Sequence, residues 1–229
     1  MKLFKKNNAV AIDGPAGSGK STISRLVAEK LGFFCVDTGA MYRALTLKVM
    51  RKNIDFSDEE KIAALSKDMD LILSPPETGS TWMRVVLDGE DISKEIRSLE
   101  VTGNVKYVAK IARVRGNLVE LQREMVRGLG GAVMEGRDIG TVVLPDAEYK
   151  FYVDASFFER VERRFSELKA KGTPTTRKEV EEDLKARDHT DKTREVGALK
   201  KADDAVYIDT TDLSIEEVVR VIIGYVKKT

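Results

Sequence analysis

Residues 9–22 read Ala9-Val-Ala-Ile-Asp-Gly-Pro-Ala-Gly-Ser-Gly-Lys-Ser-Thr22, and the reading of this stretch decides the fold. Ala9 to Ile12 is a short apolar run that suits a buried strand. It breaks at Asp13 into a glycine-rich turn, and a segment able to be helical starts at Lys20. Gly14, Gly19, Lys20 and Ser21 satisfy G-x-x-x-x-G-K-[ST], and Gly17 adds a further glycine. Glycines let successive backbone N–H groups curl around a phosphate where a Cβ would block the approach. The N-terminus of the following helix adds unpaired N–H groups and the positive end of its dipole. In such a loop Lys20 reaches the β- and γ-phosphates, and Ser21 offers its hydroxyl to Mg²⁺. The strand before and the helix after the motif separate this reading from a chance run of glycines.

The chain continues as strand, helix, strand. Ile23, Leu26, Val27 and Leu31 have helical spacing, Gly32 ends that helix, and Phe33 to Val36 is a second apolar strand. This order implies a parallel pair joined by a crossover. The strand ends at Asp37-Thr38-Gly39, and open α/β sheets bind ligands at the carboxyl ends of their strands. Tyr42 and Arg43 are expected to open the next helix. Ser57-Asp-Glu-Glu60 reads as a capping box with a helix starting at Asp58. Between Leu71 and Ile92, a Pro75-Pro76 break, a strand-like Thr81 to Leu87 and an Asp88-Gly89 turn predict a small antiparallel insert. Trp82 within it reads as packing rather than a base-stacking platform.

From Ser98 to Gly128 the pattern is helical, with Arg113, Arg115, Arg123 and Arg127 along it. Ala132 to Met134 is a third strand ending in the polar cluster Glu135-Gly-Arg-Asp138, where Glu135 could sit near Mg²⁺. Tyr149 to Val153 is a fourth strand. Two charged helices follow: Phe157 to Lys171, bearing Arg160, Arg163 and Arg164, and one capped by Thr176 and Glu179 that runs to Arg194. They read either as a mobile flap or as a solvated helical hairpin. Ala205 to Ile208 is a fifth strand, and Ser214 with Glu217 caps a final amphipathic helix.

Composition narrows the function. The 229 residues carry 39 Lys+Arg against 38 Asp+Glu, a net charge of +1, so no basic field argues for nucleic acid. A single cysteine, Cys35 in an apolar run, excludes an internal disulfide and reads as packing. The basic start MKLFKKNN lacks the apolar run of a signal segment and no stretch has transmembrane length, so a cytoplasmic protein without membrane contact is expected. His189 is the only histidine, which leaves no multi-histidine metal centre, and it reads as an exposed helix residue. No N-K-x-D or D-x-x-G occurs, so guanine recognition of the switch-GTPase type lacks candidates. Phosphoryl transfer needs positioning and charge neutralisation more than covalent chemistry, and arginine suits both. The residues favour a small-molecule kinase over an NTPase that couples hydrolysis to a partner.

Four segments together sharpen this: Asp13-Gly-Pro-Ala-Gly-Ser-Gly-Lys-Ser-Thr22, Asp37-Thr-Gly-Ala-Met-Tyr-Arg43, Gly136-Arg-Asp-Ile-Gly-Thr141 and Arg187-Asp-x-x-Asp-x-x-Arg194. In this order they resemble the bacterial cytidylate kinases over nearly the whole chain. The resemblance implies an α/β nucleoside-monophosphate kinase fold in one domain, 1–229, with five parallel strands in the order 2-3-1-4-5. It implies a CORE of about 1–60, 98–155 and 195–229, a nucleotide-binding insert of about 61–97 holding the antiparallel sheet, and a helical LID of about 156–194. The implied reaction takes the γ-phosphoryl group of ATP to CMP or dCMP, with Mg²⁺, in a protein expected to be a monomer.

By position, the resemblance gives the ATP phosphates to Gly14, Pro15, Ala16, Gly17, Ser18, Gly19, Lys20, Ser21 and Thr22, and Mg²⁺ to Ser21 and Glu135 with phosphates and water. Thr38, Tyr42 and Arg43 would line the CMP site, with Arg43 on its phosphate. Arg115 and Asp138 match cytosine-reading positions, Arg137 and Arg194 positions near the CMP phosphate, and Arg187 and Asp191 positions holding the pentose hydroxyls. Lys20, Arg137, Arg160, Arg163, Arg164 and Arg194 would supply the catalytic positive charge. One position departs from the pattern: Lys106 stands where the family usually has a serine, nine residues before Arg115. A lysine donates hydrogen bonds but accepts none, which leaves room for some turnover of UMP.

Overall fold

A computed structural model describes residues 9–75, 83–127 and 129–227. Strand β1 (Ala9–Asp13) is buried along its whole length and leads through the glycine loop into helix α1 (Lys20–Leu31), which ends on a left-handed Gly32 at φ 66°. Strand β2 (Phe34–Asp37) feeds helix α2 (Thr38–Arg51), and helix α3 (Glu59–Lys67) follows. Strands β3 (Leu71–Ser74), β4 (Arg84–Leu87) and β5 (Glu90–Asp91) come next, with a 3₁₀ turn at Glu95–Arg97. Helices α4 (Leu99–Ala109) and α5 (Ala112–Val126) precede strand β6 (Ala132–Gly136), a π-helical turn at Ile139–Val143 and strand β7 (Tyr149–Asp154). Helices α6 (Phe157–Ala170) and α7 (Arg177–Thr193), strand β8 (Val206–Asp209) and helix α8 (Ile215–Val226) complete the chain.

The five long-range strands pair in parallel in the order β2-β6-β1-β7-β8. Counting only these strands along the chain, the order is the 2-3-1-4-5 that the resemblance implies. β1 lies in the middle and supplies both faces. Val10 and Ile12 pack with Ile23 and Val27 of α1 and Val218, Val219 and Ile222 of α8, whereas Ala9 and Ala11 pack with Val119 and Val126 of α5. Full burial of side chains such as Val10 and Ile12 stabilises by about 1.5–3 kcal/mol each.

β3, β4 and β5 form a separate antiparallel sheet, the small insert that the sequence predicts. Its tight turn has Asp88 at φ 51° and Gly89 at φ 84°, the paired left-handed residues of a type I′ hairpin. Buried Lys48 of α2 fastens it, bonding the Asp68 carbonyl at 2.6 Å and the Asp88 carboxylate at 3.0 Å. The expected strand from Thr81 begins, among the described residues, at Arg84, and Trp82 lies outside them.

Several boundaries differ from the sequence expectation for local reasons. Helix α2 opens at Thr38 rather than at Tyr42, because the Asp37 carboxylate accepts the Ala40 N–H at 3.1 Å and caps it. Asp58, not Ser57, caps α3: it accepts the Lys61 N–H at 3.1 Å, while the Ser57 hydroxyl is taken by Asp55 at 2.8 Å. The Ser98–Gly128 stretch is two helices, broken at Lys110 and Ile111, the latter extended at ψ 113°. The capping boxes at Thr176/Glu179 and Ser214/Glu217 both form. Among the described residues no helix is long and apolar enough to cross a membrane.

Candidate active site

The parallel register brings the strand ends to one edge. Asp13 pairs with Gly136 and Asp37 with Glu135, so acidic side chains of β1, β2 and β6 meet beside the glycine loop. The buried Asp13 carboxylate accepts the N–H groups of Ile139 and Gly140, both at 2.8 Å, and ties the π-helical turn to the end of β1. Burial pushes its pKa up to about 6 against the pull of those two amides. The loop needs its glycines for space as well as torsion. Gly14 has φ +155°, and a Cβ there would stand 2.0 Å from the Val153 carbonyl oxygen of β7. Gly17 (φ +79°) and Gly19 (φ +86°) occupy the left-handed region.

Lys20 is buried and folds back to donate to the Pro15 carbonyl at 2.7 Å. Burial lowers its pKa to about 7, with Arg137 pushing the same way and Glu135 opposing. Glu135 is the counterpart: burial raises its pKa to about 7, Asp37 adds to the rise, and Lys20 and a hydrogen bond from Ser21 oppose it. Ser21 itself is exposed at the loop's mouth.

Facing the loop is a side-chain lattice. Asp37 pairs with Arg43 at 2.7 Å; burial alone would raise its pKa, but the Arg43 and Arg97 guanidinium groups outweigh it and hold the carboxyl below its usual range. The Thr38 hydroxyl donates to the Glu135 carbonyl at 2.8 Å. Arg115 is 2% exposed, pairs with the buried Asp138, and lies 5.4 Å from the Tyr42 ring centroid. Burial raises the Tyr42 hydroxyl to about 12, so it stays neutral. Arg137 donates to Asp191 at 2.6 Å, and Arg194 reaches the same carboxylate at 3.3 Å. Arg43 Nε, Arg115 Nε, Arg194 Nη2 and Ser18 Oγ are buried without a hydrogen-bond partner. Buried donors without acceptors are costly, and each of these three guanidinium groups keeps a spare N–H able to meet an anionic or carbonyl oxygen.

The sequence-derived residues therefore gather into two groups that meet at Lys20 and Arg137: the loop with Glu135, and the lattice of Thr38, Tyr42, Arg43, Arg115, Arg137, Asp138, Asp191 and Arg194. The late arginines are held differently. Buried Arg160 bonds the Ala16 carbonyl of the loop at 3.0 Å and Asp188 at 2.6 Å, while Arg163 bonds the Thr210 carbonyl at 2.6 Å and hydroxyl at 3.0 Å. Arg164 and Arg187 pair on their own helices, with Glu167 at 2.8 Å and Asp183 at 3.0 Å. Lys106 is exposed on α4 with its ammonium 5.1 Å from the Tyr107 ring centroid. His189 is exposed, and Cys35 is half-buried against the core with its thiol pushed up by burial.

Sequence reasoning missed Asp188, Arg97, Thr210 and Gly197. A Cβ on Gly197 (φ +64°) would lie 2.1 Å from Asp138 and 2.2 Å from Arg115, so its backbone roofs their ion pair. Asp188 stands inside a motif that assigns roles to its neighbours and none to it. The others carry no local signal, because each acts across the fold.

A phosphate loop at the end of the central strand of a 2-3-1-4-5 parallel sheet, faced by an arginine lattice, defines a P-loop nucleotide kinase. The family model described as cytidylate kinase matches residues 10–228, and the chain belongs to that family. A cytidylate kinase of Desulfitobacterium hafniense (strain Y51) is 50% identical over 216 residues, covering 94% of this chain and 91% of that protein. One from Caldanaerobacter subterraneus subsp. tengcongensis is 48% identical over 219 residues, covering 96% and 94%. The crystal structure of an uncharacterized protein from Eubacterium ventriosum ATCC 27560 is similar in fold alone, with a TM-score of 0.50 and 12% identity over 97% of this chain and 99% of that one.

Proposed function

We propose that this protein transfers the γ-phosphoryl group of ATP to CMP or dCMP, giving ADP and CDP or dCDP. The observation that carries the reading is the buried Arg115–Asp138 pair beside Tyr42, set across from a glycine loop in a chain of the cytidylate kinase family. A fixed donor–acceptor pair suits a base edge that both accepts and donates, as cytosine's does.

The loop from Gly14 to Thr22 takes the ATP phosphates on its main-chain amides, and Lys20 turns from the Pro15 carbonyl to the β/γ oxygens. Arg43, Arg137 and Arg194 take the CMP phosphate. Thr38 and Tyr42 line the nucleoside, and Arg187 and Asp191 take the pentose hydroxyls. The α6–α7 hairpin acts as the LID over the loop, bringing Arg160, Arg163 and Arg164 toward the phosphoryl group and excluding water that would hydrolyse ATP. Mg²⁺ fits here as a phosphate-borne ion, since a hard dication with few protein ligands suits one exposed hydroxyl and one buried carboxylate, Ser21 and Glu135. Bound there, it neutralises phosphate charge. We place the protein in the cytoplasm as a monomer.

Initial rates with CMP, dCMP, UMP and AMP under saturating ATP test the assignment. CMP and dCMP are expected to be the best acceptors, with UMP slower. UMP or AMP exceeding CMP in kcat/KM overturns it.

A further inference from the structure

The motif that runs from Arg187 to Arg194 contains one carboxylate with no part in the proposed transfer. Asp188 precedes Asp191 by three residues on α7, so the two share a face of the helix. Asp191 takes Arg137 and Arg194 of the acceptor lattice. Asp188 takes both terminal nitrogens of Arg160, at 3.1 and 2.6 Å, a forked arrangement that fixes direction as well as distance. Arg160 in turn donates to the Ala16 carbonyl inside the phosphate loop at 3.0 Å and to the Ala155 carbonyl at 3.3 Å. Asp154 is the other carboxylate near it, 3.8 Å from Nε.

This junction has little slack. The side chains of Arg160 and Asp188 are 7% and 14% exposed. A Cβ on Gly17 would meet the Arg160 carbonyl oxygen at 3.1 Å, so the backbone of α6 already closes on the loop. Ala16 is packed in an apolar cluster with Val161, Leu168, Val180 and Leu184 of the two helices. One face of α7 therefore holds the acceptor-side arginines at one turn and, at the preceding turn, the arginine bonded to the donor loop. A helix moves as a rigid element, so displacement at Asp191 is carried to Asp188.

We propose that Asp188 is a positioning residue which, acting through Arg160 and the Ala16 carbonyl, couples occupancy of the monophosphate site to the geometry of the ATP loop. The inference rests on the reading of the chain as a CMP kinase. An acceptor that engages Asp191 sets the position of α7, and the Asp188–Arg160 fork sets the loop accordingly. Asparagine at this position keeps the shape but replaces one charge-assisted acceptor with an amide that repels the guanidinium.

The test measures the KM of ATP at low and at saturating CMP, and the KM of CMP at saturating ATP, for the full chain and for Asp188→Asn, Asp188→Glu, Arg160→Lys and the Asp188→Asn/Arg160→Lys double variant. In the unmutated protein CMP is expected to tighten ATP by about fivefold or more. Asp188→Asn should abolish that tightening, so that the KM of ATP at saturating CMP and, by linkage, the KM of CMP at saturating ATP rise by the same factor, while the KM of ATP at low CMP stays within about twofold. Asp188→Glu should recover part of the coupling. Arg160→Lys should reproduce the loss, and the double variant should be no worse than the worse single one, because both break the same link. Unchanged coupling in Asp188→Asn, a KM of ATP that rises as much at low as at saturating CMP, or multiplying effects in the double variant overturns the proposal. If Asp188→Asn does not fold, Arg160→Lys decides the same question, and coupling retained there overturns the proposal. Failure of the unmutated chain to phosphorylate CMP would instead sink the functional reading itself.

Discussion

The two halves of the proposed site are built from different material. The donor half is a continuous run of backbone between β1 and α1, Gly14 to Gly19, shaped by Gly14, Gly17 and Gly19. The acceptor half is a lattice of side chains, in which α2 contributes Tyr42 and Arg43, α5 contributes Arg115, the end of β6 contributes Arg137 and Asp138, and α7 contributes Asp191. A backbone cradle has few degrees of freedom and tolerates few substitutions. A lattice of ion pairs depends on each partner, and losing one leaves the other buried and uncompensated. The donor half should therefore fail through chemistry when a side chain is cut, and the acceptor half through stability as well.

The largest effect is expected at Lys20. Lys20→Ala removes the one buried cation of the loop while leaving its amides, and should lower kcat/KM by about 10³-fold with little change in fold. The same variant tests the charge state of the lysine. Burial holds the free lysine well below the usual lysine range, which favours its neutral form. Triphosphate favours the charged form, so ATP binding without Mg²⁺ at pH 8 should take up protons, read by calorimetry in buffers of different ionisation enthalpy. Uptake that is unchanged in Lys20→Ala would mean that the lysine is already charged in the free protein.

A smaller effect, and of the other kind, is expected at Asp138. Asp138→Ala leaves the Arg115 guanidinium buried without its carboxylate and should cost roughly 3 kcal/mol of unfolding free energy in a denaturant titration. Replacing both partners with apolar residues of similar volume should restore most of that stability while base discrimination stays lost. If Asp138→Ala were as stable as the parent, the two halves would not differ in the way their construction implies.

The same contrast explains what could be read from the sequence. The donor half was legible because its determinants are contiguous: an apolar run, glycines at fixed offsets, then a helix. The type I′ turn at Asp88-Gly89 and the capping boxes at Thr176 and Ser214 were legible for the same reason. The acceptor half came only through resemblance to a family, since Arg115 and Asp138 lie 23 residues apart and Arg137 and Asp191 lie 54 apart. No periodicity links such positions. Arg115 has the sequence context of one more arginine on a solvated helix and is instead among the most buried side chains. Gly197 gives no sign in the sequence that its missing Cβ makes room for that pair. Helix α2 starts earlier than its apolar pattern suggests because Asp37 caps it from the end of a strand.

The smallest effect is expected at Lys106, and it asks where the acceptor lattice ends. The side chain stands where the resemblance implies a serine, but it is exposed and its ammonium lies 5.1 Å from the Tyr107 ring centroid on α4. An exposed cation over a ring contributes about 0.5–1 kcal/mol, and that interaction holds it away from the buried Arg115–Asp138 pair. Lys106→Ser should accordingly change the ratio of kcat/KM for CMP over UMP by less than about twofold. A change of tenfold or more would mean that the ammonium leaves Tyr107 when the base arrives. The lattice would then extend to α4, and base choice would rest on three side chains rather than two.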